Sequence, residues 1–359
     1  MTPTVTTERM DTPAAMSGRP LDVLILYEGE YPGGDFGHSI ADGFRAHGCR
    51  VEFADRSQPW SGAFDVTLAY GPFHRESSMI PPAQHLLSLP PERRPIFIWW
   101  LTEGVPDPGL PQLLVQAAAR LRVALDRSPL ASLAPGFAMR GHRLRVLGEL
   151  HWLAERRILD ILAVTSASRA AYLARTGLSP ITLPLGYHAL YGDNQGLERD
   201  IDVCFLGQLA PRRRMERLDQ VRRELARREI QVTLASDLYW KDRTEFLNRS
   251  KLMINILRAS QDFVGQRFLL AAANRVLVVS EPIADHAPFV PGRHIIITPL
   301  SEMAATIEHY LRHPAERERI VQEAYRFATT ELTMVHETGI LLTRARELMA
   351  ARRLGQKSV

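Results

Sequence analysis

Residues 242–282, with the sequence DRTEFLNRSKLMINILRASQDFVGQRFLLAAANRVLVVSEP, decide the fold class of this chain. The segment predicts a short helix, a buried strand at 252–256, a helix of small residues at 266–274 and a second buried strand at 276–279. Two buried strands joined by a helix form the crossover unit of a parallel sheet. We therefore expect an α/β protein whose parallel sheets are covered by helices on both faces.

The small-residue helix begins next to a glycine, and its first turn is a candidate binding site. Gly265 precedes the helix, and Gln266 and Arg267 open it. Glu281 follows the next strand, at the same edge of the sheet. Backbone N–H groups without partners and the positive end of the helix dipole attract anions to a helix N-terminus. A phosphorylated ligand is therefore the first hypothesis for this edge.

Strands and helices alternate in two successive series, which predicts two domains. The segment LGYHALYGDNQGLERD at 185–200 carries three glycines and several charges, and we interpret it as an interdomain linker. The final residues from 332 onward predict one long helix. The predicted division is a disordered tail (1–19), an N-terminal Rossmann-like domain (20–190), a C-terminal Rossmann-like domain (191–331) and a last helix with its tail (332–359).

Composition fits an ordinary globular protein of two domains. The chain has 359 residues, of which 45% are hydrophobic and 23% charged. Only three of its 44 basic residues are lysine, and 40 acids oppose them. Because no long unbroken basic tract exists, we expect no nucleic-acid binding.

The chain shows no signal for secretion, membrane insertion or metal binding. Its first 20 residues lack the apolar region of a signal peptide, and no apolar run reaches 18 residues. Cys49 and Cys204 lie in or beside strand-like runs, which predicts buried free thiols in a reducing compartment. The 12 histidines lack metal-ligand spacing. We expect a cytoplasmic protein without a metal site or membrane span.

Arginines follow the first predicted strand of the second half. That strand ends at Gly207 and Gln208, and Arg212 and Arg213 open the next helix. Guanidinium groups make paired bonds to phosphate oxygens, so these four residues are predicted to bind a pyrophosphate. The alternative is a solvated first helical turn.

The glycine run at 33–37, after the first predicted strand, resembles a phosphate loop only loosely. It lacks G-x-G-x-x-G, and Asp35 would repel an anion. A nicotinamide dehydrogenase is therefore the weaker hypothesis, although Asp55 occupies the position of a ribose-binding acid. The run, including Gly34, is better explained as a tight turn that lets a substrate or the other domain approach.

Three further polar residues are candidates in the first half and the linker. Glu103 follows a buried strand at 95–100, where it could contact an acceptor or act as a base. His38 opens the first helix, and His188 lies in the linker. The alternative for each is a structural or solvent-exposed side chain.

Five segments of the second half carry a family resemblance. They are IDVCFLGQ (201–208), FLNRSKLMINI (246–256), GQRFLLAAANRVLVVSEP (265–282), PFVPGRHIII (288–297) and HPAERERI (313–320). With these segments the second half resembles the C-terminal domain of group 1 glycosyltransferases of the GT-B fold, especially their spore-maturation-protein-like branch. The resemblance implies two domains facing across a cleft, with the last helix packing back on the first domain. It also implies sugar transfer from a nucleotide-diphosphate sugar to a small-molecule, glycan or protein acceptor, with retention, no metal and no other cofactor.

One departure concerns the E-x7-E motif of retaining relatives, in which the first glutamate lies near the sugar and the second near the ribose. The matching positions here are Asp262 and Leu270. Asp262 can keep the sugar-side role, but leucine accepts no hydrogen bond from a ribose hydroxyl. Glu281 is a candidate substitute. The departure also suits a second hypothesis, a non-catalytic protein that binds a nucleotide sugar or glycan on the same fold.

Overall fold

The chain folds into two parallel sheets flanked by helices, which confirms the predicted α/β class. The first six strands along the chain form one sheet, and the next five strands form the other. The computed structural model describes residues 19–27, 35–71, 78–102, 105–106, 109–128, 141–258 and 265–356.

The first domain contains a six-stranded sheet. Its strands are β1 (Asp22–Tyr27), β2 (Arg50–Asp55), β3 (Val66–Gly71), β4 (Ile96–Leu101), β5 (Ile161–Val164) and β6 (Pro180–Thr182). They are all parallel and lie in the order β2-β1-β3-β4-β5-β6. The helices are α1 (Asp35–Ala46), α2 (Ile80–Ser88), α3 (Gln112–Asp126), α4 (His142–Glu155) and α5 (Ala167–Arg175), with a 3-10 turn at Pro91–Arg93.

The second domain contains a five-stranded parallel sheet. Its strands are β7 (Ile201–Leu206), β8 (Val232–Ala235), β9 (Ser250–Asn255), β10 (Leu277–Ser280) and β11 (Ile296–Ile297). They lie in the order β11-β10-β9-β7-β8. Its helices are α6 (Arg212–Ala226), α7 (Trp240–Asn248), α8 (Gln266–Ala273), α9 (Met303–Arg312) and α10 (Pro314–Thr330). The linker contains a 3-10 turn at Ala189–Tyr191, and the last helix of the chain is α11 (Met334–Gln356).

Helix α2 is the main element that the sequence does not predict. Its first turn is Ile80-Pro81-Pro82, and proline pairs usually indicate a turn. Proline is tolerated there because the first N–H groups of a helix have no intrahelical partner. Strand β11 is the shortest strand of the described residues, with only Ile296 and Ile297.

The last helix packs back on the first domain, as predicted. Met334, Leu341 and Leu342 of α11 lie in one hydrophobic core with Val23 of β1 and Phe44 of α1. Helices α1 and α11 therefore cover the same face of the first sheet.

The chain crosses between the two domains twice, in the linker and just before α11, and the backbones of these two segments are hydrogen-bonded to each other. The backbone N–H of Tyr187 donates to the carbonyl of Leu332 at 2.7 Å, and that of Met334 donates to the carbonyl of Tyr187 at 2.8 Å. Gly186 leaves no room for a side chain beside the backbone of Met334. The linker and the start of α11 thus form one crossing point.

Both cysteines are buried free thiols, which confirms that prediction. Burial raises the pKa of Cys204 to about 12, so this thiol stays protonated at neutral pH. Among the described residues, no helix is long and apolar enough to cross a membrane.

Candidate functional site

The second sheet has a topological switch point between β7 and β9. Strand β8 lies on one side of β7, whereas β9 and β10 lie on the other. Ligands of open parallel sheets bind outside the carboxyl ends of the strands at such a point. The strand ends here are Leu206 and Asn255.

Arg267, in the first turn of α8, spans this switch point. Its Nη1 donates to Oδ1 of Asn255 at 2.6 Å, and its guanidinium lies 5.4 Å from the ring centroid of Phe205. A Cβ placed on Gly207 would lie 2.8 Å from Nη2 of Arg267. Gly207 also has a φ of +133°, which side chains with a Cβ rarely adopt. The glycine therefore lets a guanidinium lie against the end of β7.

The side chain of Asn255 is itself held in one orientation. Its Nδ2 donates to Oγ of Ser280 at 2.9 Å, and Ser280 Oγ donates to the carbonyl of Glu281 at 2.8 Å. Asn255 and Ser280 are both buried. The carboxyl ends of β9 and β10 thereby direct the amide oxygen of Asn255 towards Arg267.

Glu281 binds protein groups with both of its oxygens. It is 1% exposed and accepts two hydrogen bonds of 3.0 Å from Arg213. Arg217 donates to Oε2, and the backbone N–H of Leu257 donates to Oε1 at 2.7 Å. Glu281 therefore orders the arginines of α6, an arrangement different from the ribose contact proposed for it from sequence.

Arg214 forms hydrogen bonds to the residues that follow β7 and β9. Its Nε donates to the carbonyl of Ile256 at 2.9 Å, and its Nη1 donates to that of Gln208 at 3.0 Å. The side chain is buried. Arg214 and Arg217 are absent from the predicted site, although Arg217 follows Arg213 by one helical turn and so shares its face.

Arg212 points away from the switch point. Its side chain is 86% exposed and pairs with Glu216, one turn along α6, at 2.5 Å. Gln208 is exposed, and its Oε1 lies 3.4 Å from Nη2 of Arg258. The structure thus places Gly207 against Arg267 and Gln208 beside Arg258, and it leaves Arg212 on the outer surface.

The side chains around this edge carry an excess of positive charge. Among the described residues, six arginines outnumber the acids Glu216, Asp237, Glu281 and Asp285. The arginines are Arg212, Arg213, Arg214, Arg217, Arg258 and Arg267. The N-terminus of α8, at Gly265 and Gln266, is the positive end of the helix dipole and adds to this positive charge. The edge suits an anionic ligand.

Three predicted site residues, Asp262, Glu103 and Gly34, lie outside the described residues. Leu270 is described: it is 8% exposed and packs in the core of the second domain. In the described part of the chain, no three side chains of His, Cys, Asp or Glu lie close enough together to hold a metal ion.

His38 and His188, two residues predicted at the cleft, lie on helix α1 and beside it. His38 is exposed, with its ring 5.4 Å from that of Phe53. Nε2 of His188 lies 3.3 Å from a carboxylate oxygen of Asp42, one turn beyond His38, and the Nδ1 of His188 accepts from the backbone N–H of Leu190. His188 therefore fastens the linker to α1.

Gly37, in the glycine run, has a steric role. A Cβ at this position would lie 2.5 Å from the hydroxyl oxygen of Tyr70, at the end of β3. The close approach of α1 to β3 explains this glycine without a phosphate. Gly37 lies within helix α1, and the tight turn predicted at Gly33 and Gly34 lies outside the described residues.

Residues 212–343 match a protein family model described as Glycosyl transferase-like. The match begins at the first residue of α6 and ends within α11, so it includes most of the second domain. No curated protein sequence is significantly similar to the chain.

Solved structures of glycosyltransferases share the fold over most of the chain. Anabaena HepE, solved with UDP-glucose, has a TM-score of 0.56 at 14% identity, covering 92% of this chain and 100% of that chain. The chain has the GT-B glycosyltransferase fold. A glycosyltransferase from Rickettsia africae gives a TM-score of 0.53 at 9% identity, over 92% and 99% of the two chains. TarM from S. aureus gives 0.50 at 10% identity, over 78% of this chain and 54% of that chain.

Proposed function

We propose that this protein transfers a sugar from a nucleotide-diphosphate sugar to an acceptor that is a small molecule, a glycan or a protein. The observation that carries the proposal is the position of Arg267. This guanidinium lies between Gly207 and Asn255 at the switch point, beside the N-terminus of α8 and among an excess of arginines. The family match over the same domain supports the same reaction class.

The proposed role of this edge is to stabilise the leaving diphosphate. As the bond from the anomeric carbon to the diphosphate breaks, negative charge grows on the departing phosphate oxygen. A guanidinium already held by Asn255 needs no reorganisation to meet that charge. The transfer would therefore proceed without a metal ion, and retention is the stereochemistry that the family resemblance implies.

The donor-binding residues proposed are Gly207, Gln208, Arg213, Gly265, Gln266 and Arg267. Glu281 would act through Arg213, which it holds, whereas Arg212 points to the outer surface and makes no proposed contact with the donor. Asp262 is the proposed residue at the sugar, and Glu103 and His38 are proposed to serve the acceptor side. Gly34 and His188 would line the acceptor side of the cleft. Closure of the domains about the linker would exclude water and so protect the donor from hydrolysis.

Titration calorimetry with UDP and UDP-glucose tests the donor site, since HepE was solved with these ligands. We expect binding by the native protein and a loss of about tenfold or more in Arg267→Ala, because one charge-assisted hydrogen bond contributes about 1.5–3 kcal/mol. Arg312→Ala is the control, since this arginine is exposed on α9. Equal affinity in all three proteins would remove Arg267 from the site.

A chelator separates the metal-independent reaction from its alternative. Sugar transfer or slow donor hydrolysis by protein treated with EDTA should equal that of untreated protein. Loss of turnover that Mg²⁺ or Mn²⁺ restores would contradict metal independence while leaving the fold and donor class intact.

Leu270 favours a second candidate, a protein that binds a nucleotide sugar without turning it over. The residue is buried among apolar side chains, so it offers a ribose no hydrogen-bond acceptor. Binding of UDP-glucose with no release of UDP, across a panel of sugar and glycan acceptors, would establish this candidate instead of the transferase.

A further inference from the structure

Helix α3 of the first domain is apolar on two opposite faces. Its inner face carries Val115, Ala119 and Val123, which are buried in the core of that domain. An amphipathic helix on the surface normally has a polar outer face. The outer face of α3 departs from this rule.

We call the exposed leucines on the outer face of α3, together with Leu110 just before the helix, the leucine stripe. These leucines are the most concentrated group of exposed large apolar side chains in the described residues. They are Leu110 (54% exposed), Leu113 (83%), Leu114 (68%) and Leu121 (61%). Ala117, also exposed, lies between Leu114 and Leu121 at helical spacing, so the apolar surface is continuous.

Arginines flank the leucine stripe on one side. Arg120 is exposed and lies 3.3 Å from a carboxylate oxygen of Glu155. The guanidiniums of Arg127 and Arg156 lie 4.8 and 4.1 Å from the ring centroid of Trp152. These three arginines lie on α3 and at the ends of α3 and α4. The acids next to them in the described residues are Glu155, which pairs with Arg120, and Asp126, which pairs with Arg122.

From this arrangement we infer that α3 binds the first domain to the surface of an anionic lipid bilayer. Leucines on one face with arginines beside them are the pattern of a helix that lies in the interface between water and acyl chains. The opposite face is packed in the core, and 15 residues are fewer than the ~20 needed to cross a bilayer, so α3 lies on the membrane and does not span it.

Charge favours the bilayer over a second copy of the chain as occupant. In a twofold symmetric contact through the leucine stripe, both copies would bring the same arginines to one interface. Like charges at an interface oppose binding, whereas lipid phosphates complement them. The membrane would lie near the carboxyl edge of the first sheet, because α3 starts shortly after the end of β4 at Leu101.

Vesicle flotation with the full chain tests the inference independently of any sugar transfer. The probes are vesicles of phosphatidylcholine alone and of phosphatidylcholine mixed with phosphatidylglycerol. We expect the native protein to float with the mixed vesicles, and Leu113→Gln/Leu114→Gln to bind them about tenfold less, since each buried leucine contributes strongly. Arg120→Gln should weaken binding only where phosphatidylglycerol is present.

Leu354→Gln/Leu197→Gln is the matched control, because both leucines are exposed away from α3. It should float like the native protein, and circular dichroism should show all variants folded. The inference is overturned if the native protein fails to float, or if both leucine pairs weaken binding equally. It is also overturned if sedimentation shows a dimer that Leu113→Gln/Leu114→Gln dissociates, since the stripe would then bind a second copy.

Discussion

The carboxylate of Asp285 accepts a hydrogen bond of 2.8 Å from the backbone N–H of Ser168, and this bond joins the two domains. Ser168 lies in the first turn of α5, which is N-capped by Ser166. Asp285 follows β10, four residues after Glu281. A carboxylate at a helix N-terminus is stabilised by the unpaired N–H groups and the dipole. The bond therefore helps to hold the carboxyl edges of the two sheets towards each other.

Removing this carboxylate should loosen the pairing of the domains. Asp285→Ala deletes an interaction of about 1 kcal/mol, which corresponds to roughly a fivefold change in the population of the paired arrangement. Small-angle scattering of the unliganded protein should show a larger radius of gyration. Asp219→Ala, an exposed aspartate of α6, is the control and should leave the scattering unchanged. Identical curves for all three proteins would exclude the bond as a determinant of domain arrangement.

Gly207 should tolerate no side chain, whereas the neighbouring Gly265 should. Gly207→Ala places a Cβ against Arg267 and forces alanine to a φ of +133°, for an expected loss of about 1–2 kcal/mol in unfolding free energy. Gly265 has an extended backbone, and a Cβ at this position would meet no atom within 4 Å, so Gly265→Ala should stay within about 0.5 kcal/mol of native. Urea unfolding of the two variants measures both; equal effects would contradict the steric account.

The two arginines that open α6 should differ in their contribution to stability. Arg213→Ala removes two hydrogen bonds from buried Glu281 and should cost about 1.5–3 kcal/mol in unfolding free energy. Arg212→Ala removes only an exposed pair with Glu216 and should change it by less than about 0.5 kcal/mol. Thermal unfolding of both single variants is sufficient. A larger loss in Arg212→Ala would mean that the helix presents its other face to Glu281.

The fold was predictable because both sheets are parallel and covered on both faces. Such strands are continuous apolar runs, and LDVLILY and IDVCFLG show them without ambiguity. Within residues 242–282, the ends of the two strands and of the small-residue helix therefore lie within two residues of the predicted ends. Helix α2 was not predicted because its first turn contains Pro81 and Pro82, a pair that usually indicates a turn.

The candidate site was only partly predictable from sequence. The glycine and arginine positions follow from local spacing, but the direction of each arginine depends on how α6 is rotated about its axis. Burial of Leu218 fixes that rotation, and it places Arg214 inward and Arg212 outward. The partnership of Asp285 with Ser168 joins residues far apart in sequence, and no local pattern signals it.

Glu149 of α4 is a buried carboxyl that should make stability depend on pH. Ser78 Oγ donates to it at 2.7 Å and the backbone N–H of Met79 at 2.9 Å. Burial raises the pKa of Glu149 from 4.5 to about 7, against the opposing effects of these two bonds and of Arg145. The folded state therefore holds this proton more tightly than the unfolded state does.

The contribution of this proton to stability is complete below the unfolded pKa of Glu149, near 4.5, and is lost as the pH rises through about 7. Native protein should therefore lose unfolding free energy, on the order of 2 kcal/mol, between about pH 5 and about pH 8 relative to Glu149→Gln. Glutamine keeps an oxygen for Met79 and an NH₂ for Ser78 but cannot ionise. Glu337, whose pKa burial raises to about 8, is present in both proteins, so its effect cancels in the difference. Urea titrations across this range measure the effect, and parallel pH profiles would show that Glu149 ionises without cost in the fold.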